Sequence, residues 1–99
     1  MKKKISQLRN FLTLISNAEL SFYVNDEENY WVHIYPETVE IQETWVGLDG
    51  FQHQHSQHYD RNEKVYKKLI KLLMKAGNCT INTFKQSAFG TEYLKRYEI

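Results

Sequence analysis

Residues 19–46, ELSFYVNDEENYWVHIYPETVEIQETWV, decide the fold, because apolar and polar side chains alternate along this stretch in three runs. A period of two is typical of β-strands that bury one face. The pattern predicts strands over residues 19–25, 30–35 and 38–46. The turn Asp26-Glu27-Glu28-Asn29 and the break at Pro36-Glu37 separate them. Connections this short favour an antiparallel three-stranded meander.

Two stretches outside these strands carry apolar residues at helical spacing. Residues 3–17 form the first, and their apolar stripe is Ile5, Leu8, Leu12 and Ile15. The second, which we expect to be basic and amphipathic, begins after Asp60, where Glu63 follows three residues later in a pattern typical of a capping box. We expect Gly77 to end it just after Ala76.

The other segments give weaker signals. Residues 47–59 are expected to be a loop, and residues 79–84 a short strand or an extended link. Tyr93 and Tyr97 are spaced one helical turn apart, which favours a short helical turn over residues 91–97. The predicted fold class is therefore α+β: an N-terminal helix, a three-stranded antiparallel meander, a long amphipathic basic helix and a short C-terminal element. With 99 residues, we expect one domain spanning residues 1–99.

Composition narrows the class of protein. A lone cysteine, Cys79, excludes an internal disulfide framework. The sequence has no apolar run near the ~20 residues of a membrane-spanning helix. Because no cleavage pattern follows the basic residues Lys2, Lys3 and Lys4, we expect no signal peptide. The expected location is therefore the reducing cytoplasm.

The net charge of +1 hides a strong segregation of charge. Residues 10–60 contain nine acidic residues and no Lys or Arg, while residues 61–99 contain nine basic and three acidic residues. Two interpretations are open: an acidic sheet packed beside its own basic helices, or an acidic surface that meets a basic partner. For the second, the predicted partner-binding residues are Glu37, Glu40, Glu43 and Asp49. Tyr23, Trp31, Tyr35 and Trp45 are expected in the core, unless Tyr23 and Tyr35 share an outer face and add aromatic anchors.

Three of the four histidines, His53, His55 and His58, fall within six residues. Imidazole is a common zinc ligand, and a structural zinc site needs four nitrogen or sulfur donors. The predicted metal ligands are therefore His53, His55, His58 and Cys79, with Asp60, Asp49 or His33 as alternative fourth ligands. The ion would be a structural Zn²⁺ that ties the loop to a small domain. The other interpretation is a solvated Gln/His loop that binds no metal.

The sequence offers little support for catalysis. It contains no Gly-rich phosphate loop, no nucleophile elbow around Ser56 and no His-Glu-x-x-His pattern. We therefore expect a protein that is not an enzyme. One enzymatic hypothesis stays open, a metal-dependent hydrolase. It would require an activity that a chelator abolishes while the protein stays folded.

The acidic block from Glu19 to Asp60 and the lack of a catalytic pattern resemble the small accessory proteins of bacteriophages, and among them the anti-CRISPR proteins. The resemblance is one of overall style, because that class shares no diagnostic motif. It implies a phage or mobile-element inhibitor that binds a larger basic protein, such as the nucleic-acid-processing effector Cas9, and blocks nucleic-acid loading. The alternative is a nucleic-acid-binding regulator that uses the Lys-rich helix over residues 61–76.

Overall fold

A computed structural model describes residues 2–25 and 27–98, with side chains from residue 7 onward. Asp26 of the predicted first turn and the side chain of Ile5 lie outside the described residues. In this part of the chain, two helices and six strands follow one another. They are α1 (Lys2–Leu14), β1 (Ala18–Asn25), β2 (Glu28–Ile34), β3 (Thr38–Val46), β4 (Gln52–Asp60), α2 (Glu63–Ala76), β5 (Thr80–Ser87) and β6 (Gly90–Glu98).

The strands form one antiparallel sheet in the order β4-β3-β2-β1-β5-β6. The meander β1-β2-β3 is present, but it is only the middle of the sheet. The predicted layout of a leading helix, a three-stranded meander and a short C-terminal element is therefore wrong. The described chain is mostly an antiparallel sheet with two short helices.

Residues 47–59, expected to be a loop, are a tight turn followed by most of β4. The turn is short because Gly50 adopts a left-handed conformation (φ 82°) and its N–H donates to the carbonyl of Gly47. The pair Asp49-Gly50 is a hairpin signal that the sequence contained. Strand β4 lacks apolar alternation because it is exposed along most of its length, so periodicity alone could not detect it.

Residues 91–97, expected to be a helical turn, are part of β6. A spacing of four residues suits a helix and also one face of a strand, so Tyr93 and Tyr97 did not discriminate between the two. A bulge in the β5–β6 ladder between Thr83 and Phe84 then sends the two tyrosines to opposite faces. Tyr97 packs edge-on against Phe11 of α1, whereas Tyr93 contacts Phe84.

Both helices pack on one face of the sheet, which we call the inner face. The core joins Leu12 of α1 and the α2 stripe to alternate residues of the strands. The α2 residues are Val65, Tyr66, Leu69, Ile70 and Leu73, and the strand residues are Ala18, Leu20, Phe22, Tyr30, Val32, Ile34, Val39, Ile41 and Ile81. The predicted C-terminal cap of α2 is correct, since Gly77 is left-handed and its N–H donates to the carbonyl of Leu73. The N-cap is Asn62 and not Asp60, because β4 extends through Asp60 and the Asn62 side chain accepts from the N–H of Val65.

Arg61, between β4 and α2, fixes the helices to the sheet. Its guanidinium donates to the carbonyls of Leu12 (2.7 Å) and Ile15 (2.6 Å) at the end of α1. It also donates to the carbonyl of Tyr35 (3.2 Å) after β2 and to the hydroxyl of Tyr66 (2.9 Å) in α2. A cation at a helix C-terminus offsets the helix dipole and satisfies carbonyls that lack helical partners.

We predict that Arg61→Ala lowers the free energy of unfolding by roughly 2–4 kcal/mol, because several partly buried acceptors lose a charged donor. Arg61→Lys should recover only part of this, since an ammonium cannot reproduce the planar fork of donors. The control is Arg96→Ala, which removes an exposed ion pair with Glu98 and should cost less than about 1 kcal/mol. Urea denaturation followed by circular dichroism measures all three. Equal losses for Arg61→Ala and Arg96→Ala would contradict this role.

Candidate protein-binding face of the sheet

The face of the sheet opposite the helices, which we call the outer face, carries a cluster of aromatic side chains. No element in residues 2–25 or 27–98 packs over it. The cluster consists of Trp31, His33, Tyr35, Phe84 and Tyr93, whose rings are in contact, and Tyr23 lies on the same face. Tyr23 and Tyr93 are each 61% exposed, so neither belongs to the core. Tyr23 and Tyr35 do share this face.

His33 lies at the centre of the cluster. Its ring stacks on Tyr35, with centroids 3.9 Å apart and planes within 5°. Trp31 and Phe84 contact the ring edge-on, at 5.4 Å and 5.2 Å. The Nε2 atom of His33 is buried and has no hydrogen-bond partner among the described residues. Burial lowers the pKa of His33, and the nearby carboxylates of Glu19 and Glu40 oppose that change. A neutral imidazole therefore serves here as part of an aromatic surface.

The strand register places a row of polar side chains across the outer face through His33. From one edge to the other the row reads His58, Glu40, His33, Glu19, Asn82 and Arg96. Both carboxylates of this row have a polar partner on the outer face. Glu40 pairs with Nε2 of His58 at 2.8 Å, and Glu19 accepts from the hydroxyl of Tyr93, beside the row, at 3.4 Å. The row thus brings two carboxylates beside the aromatic cluster, at positions far apart in the sequence.

The ion pairs of the described side chains do not join the carboxylates of the acidic block to Lys or Arg. Among side chains from residue 7 onward, Lys or Arg forms ion pairs with Glu63 and Glu98 only. Both of these acids lie outside residues 10–60. The partners of Glu40 and Asp49 are histidines. The described ion pairs therefore do not favour the interpretation in which the molecule's own lysines neutralise the acidic sheet.

The four predicted partner-binding acids do not form one surface. Glu40 lies on the outer face, whereas Glu43 lies on the inner face, with a carboxylate oxygen 3.2 Å from the hydroxyl of Tyr30. Glu37 precedes β3 and Asp49 follows it, so these two lie at opposite ends of a nine-residue strand, about 30 Å long. Only Glu40 of the set contributes to the aromatic face, because neighbouring residues of a strand point to opposite sides.

The predicted metal ligands are also separated. His53 and His55 point to the inner face, opposite Trp45 and Glu43 of β3, whereas His58 is opposite Glu40 and points to the outer face. His53 stacks on Trp45 and its Nε2 lies 3.0 Å from Asp49. The hydrogen bonds from Phe51 and His53 hold the pKa of Asp49 below its usual value.

Cys79 lies apart from the histidines. It is buried, and burial raises the pKa of its thiol to about 11, so the reactive thiolate is disfavoured. In the described part of the chain, no three His, Cys, Asp or Glu side chains are close enough to share an ion. One chain therefore does not bring the predicted ligand set together, and zinc binding stays a prediction that elemental analysis can test. The alternative fourth ligands do not complete a set either: Asp49 contacts His53, whereas His33 and Asp60 lie on the outer face with His58, and no three of these side chains meet in the described chain.

A second acidic feature lies at the end of the sheet near the β1–β2 turn. A shallow cleft of about 350 Å³ is lined by Asn25, Glu27, Glu28, Glu43, Trp45 and Val46. The hydroxyl of Tyr30 donates its one proton to Glu28 at 2.5 Å, and a carboxylate oxygen of Glu43 lies 3.2 Å from the same hydroxyl, so Tyr30 lies between the two carboxylates. Burial and these two carboxylates raise the pKa of Tyr30 above its usual value. The two carboxylates are thus held by the protein itself.

Comparison of the chain with protein-family models, with curated proteins and with solved structures finds no match. None of the helices in the described residues is long and apolar enough to span a membrane.

We predict that His33 makes the protein less stable as the pH falls. The unfolded chain takes up a proton near pH 6.5, the usual pKa of histidine, whereas folded His33 takes it up at a lower pH. The unfolded state then binds more protons below pH 6.5, so the stabilisation present at neutral pH is lost on acidification. The fall in unfolding free energy between about pH 7.5 and about pH 5 should be smaller in His33→Phe than in the wild type.

The control for this prediction is His55→Phe, at an exposed position of β4. This variant removes an imidazole from outside the aromatic cluster, so the comparison separates the effect of His33 from the effect of replacing any one histidine. If His33→Phe and the wild type lose the same stability over that range, the folded environment does not favour neutral His33.

Proposed function

We propose that this protein acts by binding, without transforming a substrate, and that its outer face docks on a Lys/Arg-lined surface of a larger protein. The observation that carries the proposal is the pairing of aromatic side chains, of which Tyr23 and Tyr93 are exposed, with carboxylates on a face that no described element covers. Tyr and Trp are frequent anchors of protein interfaces. Glu19 and Glu40 lie among them and have no Lys or Arg partner in the described chain. An acidic, aromatic surface complements a basic one in both charge and contact area.

The most concrete form of this proposal is an inhibitor encoded by a phage or mobile element, acting in the host cytoplasm. Surfaces that receive the phosphates of nucleic acid are lined with Lys and Arg. A protein that covers such a surface competes with nucleic acid for the same cations. The resemblance to anti-CRISPR proteins points to the nucleic-acid channel of an effector such as Cas9. Inhibition would then be steric and electrostatic, without chemistry.

A second candidate function is direct nucleic-acid binding by α2. The lysines Lys64, Lys67, Lys68, Lys71 and Lys75 are all exposed, on the side of the helix away from its buried stripe. One of them, Lys68, donates to the hydroxyl of Tyr59 at 2.8 Å. Five exposed lysines along four turns suit phosphate contacts without base readout.

For the inhibitor, we predict that Glu19→Lys combined with Glu40→Lys abolishes competition with nucleic acid. Wild-type protein should raise the apparent Kd of a purified Cas9–guide RNA complex for its target DNA at least about tenfold, measured by fluorescence anisotropy. The double variant should lose this effect, because placing like charges across an interface costs several kcal/mol.

The matched control is Glu27→Lys combined with Glu92→Lys, which changes net charge equally at exposed positions away from the polar row. This variant should still compete. Loss of competition in both double variants would mean that net charge, and not the outer face, determines binding. No competition by saturating wild-type protein would overturn the Cas9 form of the proposal.

If α2 binds nucleic acid, the triple variant Lys64→Glu, Lys68→Glu and Lys71→Glu should lose its affinity for duplex DNA. The wild-type affinity should fall steeply with salt, since each neutralised phosphate contributes a slope of about −0.9. Filter binding at several salt concentrations measures both effects. Glu19→Lys combined with Glu40→Lys is the control and should bind DNA at least as well as the wild type. Unmeasurable wild-type affinity at low salt would exclude this function and leave the inhibitor.

A further inference from the structure

Strand β4 ends the sheet on one side, and its outward edge has no neighbour in the described chain. All nine of its residues pair in register with β3, from Gln52 opposite Val46 to Asp60 opposite Thr38. The strand is therefore long, regular and free of bulges. An edge of this kind presents a row of unpaired N–H and C=O groups to another strand.

The turn before β4 shows which backbone groups face outward. The N–H of Gly47 donates to the carbonyl of Phe51 at 2.9 Å, so this pair is a hydrogen-bonded pair of the antiparallel ladder. Hydrogen-bonded pairs alternate along such a ladder. The residues of β4 that bond to β3 are then 53, 55, 57 and 59. Those that point their N–H and C=O away from β3 are Gln52, Gln54, Ser56, His58 and Asp60.

The two edges of the sheet differ in how well they are protected from pairing with a strand of another molecule. Proteins block exposed edges with charged side chains, prolines, glycines or bulges. Strand β6, at the opposite edge, carries Glu92, Lys95, Arg96 and Glu98 and a bulge in its ladder with β5. Strand β4, with the sequence QHQHSQHYD, has no Pro, Gly, Lys or Arg, and its one carboxylate is at its end. Of the two edges in the described chain, β4 is the one with fewer features that oppose pairing.

We propose that β4 pairs antiparallel with β4 of a second copy of this chain, with Ser56 opposite Ser56 of that copy. This register uses all five outward-facing residues and forms roughly ten backbone hydrogen bonds. It places Gln54 opposite His58 and Gln52 opposite Asp60, so no two carboxylates face each other. The strand is thus complementary to itself in charge and in hydrogen bonding. Because the side chains of these five residues lie on the outer face, the dimer joins two outer faces into one.

A charge exchange at Ser56 tests the dimer and its register together. Sedimentation equilibrium of the wild-type protein at concentrations up to about 0.5 mM should show a dimer. A dimer whose Kd is in the micromolar range is nearly fully associated at that concentration. Ser56→Lys and Ser56→Asp should each weaken dimerisation at least about fivefold, because each places like charges directly opposite. An equimolar mixture of the two variants should restore a dimer, because Lys then faces Asp.

Ser56 is exposed, and circular dichroism should show that both variants remain folded. Ser56→Ala, which keeps the backbone and adds no charge, is the matched control and should dimerise like the wild type. A wild-type protein that stays monomeric at the highest concentration overturns the proposal. So does a dimer that both charged variants retain, or a mixture that associates no better than either variant alone.

A second measurement tests the register of the dimer without placing a charge at Ser56. The variant Ser56→Cys should form a disulfide-linked dimer under mild oxidation, because Cα atoms of a hydrogen-bonded antiparallel pair are about 5.5 Å apart, within disulfide range. Gln52→Cys, at the end of the strand and far from its own copy in this register, should not. The native Cys79 is buried and should not crosslink. Equal crosslinking of both variants would exclude the Ser56-centred register.

Discussion

The hydrogen bonds of Arg61 tie both helices to the sheet on its inner, apolar face. Helix α1 ends at Leu14 and α2 begins at Glu63, so the two helices are far apart in sequence. The guanidinium reaches the last carbonyls of α1, the carbonyl after β2 and a hydroxyl of α2 at the same time. The side-chain pair of Arg9 and Glu63 adds a second link between the helices. With both helices held on the inner face, the outer face is left to solvent or to a partner.

The basic and acidic residues are separated in space as well as in sequence, because they lie on different secondary-structure elements. The lysines of the second half lie mostly on α2, whose buried stripe turns them away from the sheet. The described acids of residues 10–60 lie in strands and turns, where alternation divides them between two faces and two ends. A continuous acidic block in the sequence therefore does not give one acidic surface. It gives a polar row with two carboxylates on the outer face and a separate cleft near Tyr30.

The sequence predicted those elements whose apolar residues repeat regularly. The boundaries of β3 were correct and those of α2 nearly so, because Val39 and Ile41, or Leu69 and Leu73, bury one side against the core. Strand β4 was missed because it is exposed along most of its length, and only Asp49-Gly50 indicated a hairpin. Strand β6 was missed because a bulge breaks its alternation. Of the candidate face, the sequence indicated Tyr23, Tyr35 and Glu40. It could not place Phe84 or Tyr93, since their positions depend on the register of β5 and β6.

The same geometry that separates the predicted metal ligands makes β4 suitable for pairing. Had the chain turned between His55 and His58, the three imidazoles could have faced one point, and the edge would have been interrupted. A continuous strand instead sends His58 to Glu40 on the outer face and His53 to Trp45 and Asp49 on the inner face. The side chains are then occupied within the molecule, while alternate backbone groups are directed outward. Glutamine, histidine and serine suit such a strand, because they are polar enough for water and carry no fixed charge that would repel an approaching strand. The composition that suggested a metal-binding loop is thus also the composition expected of an edge that accepts a neighbour.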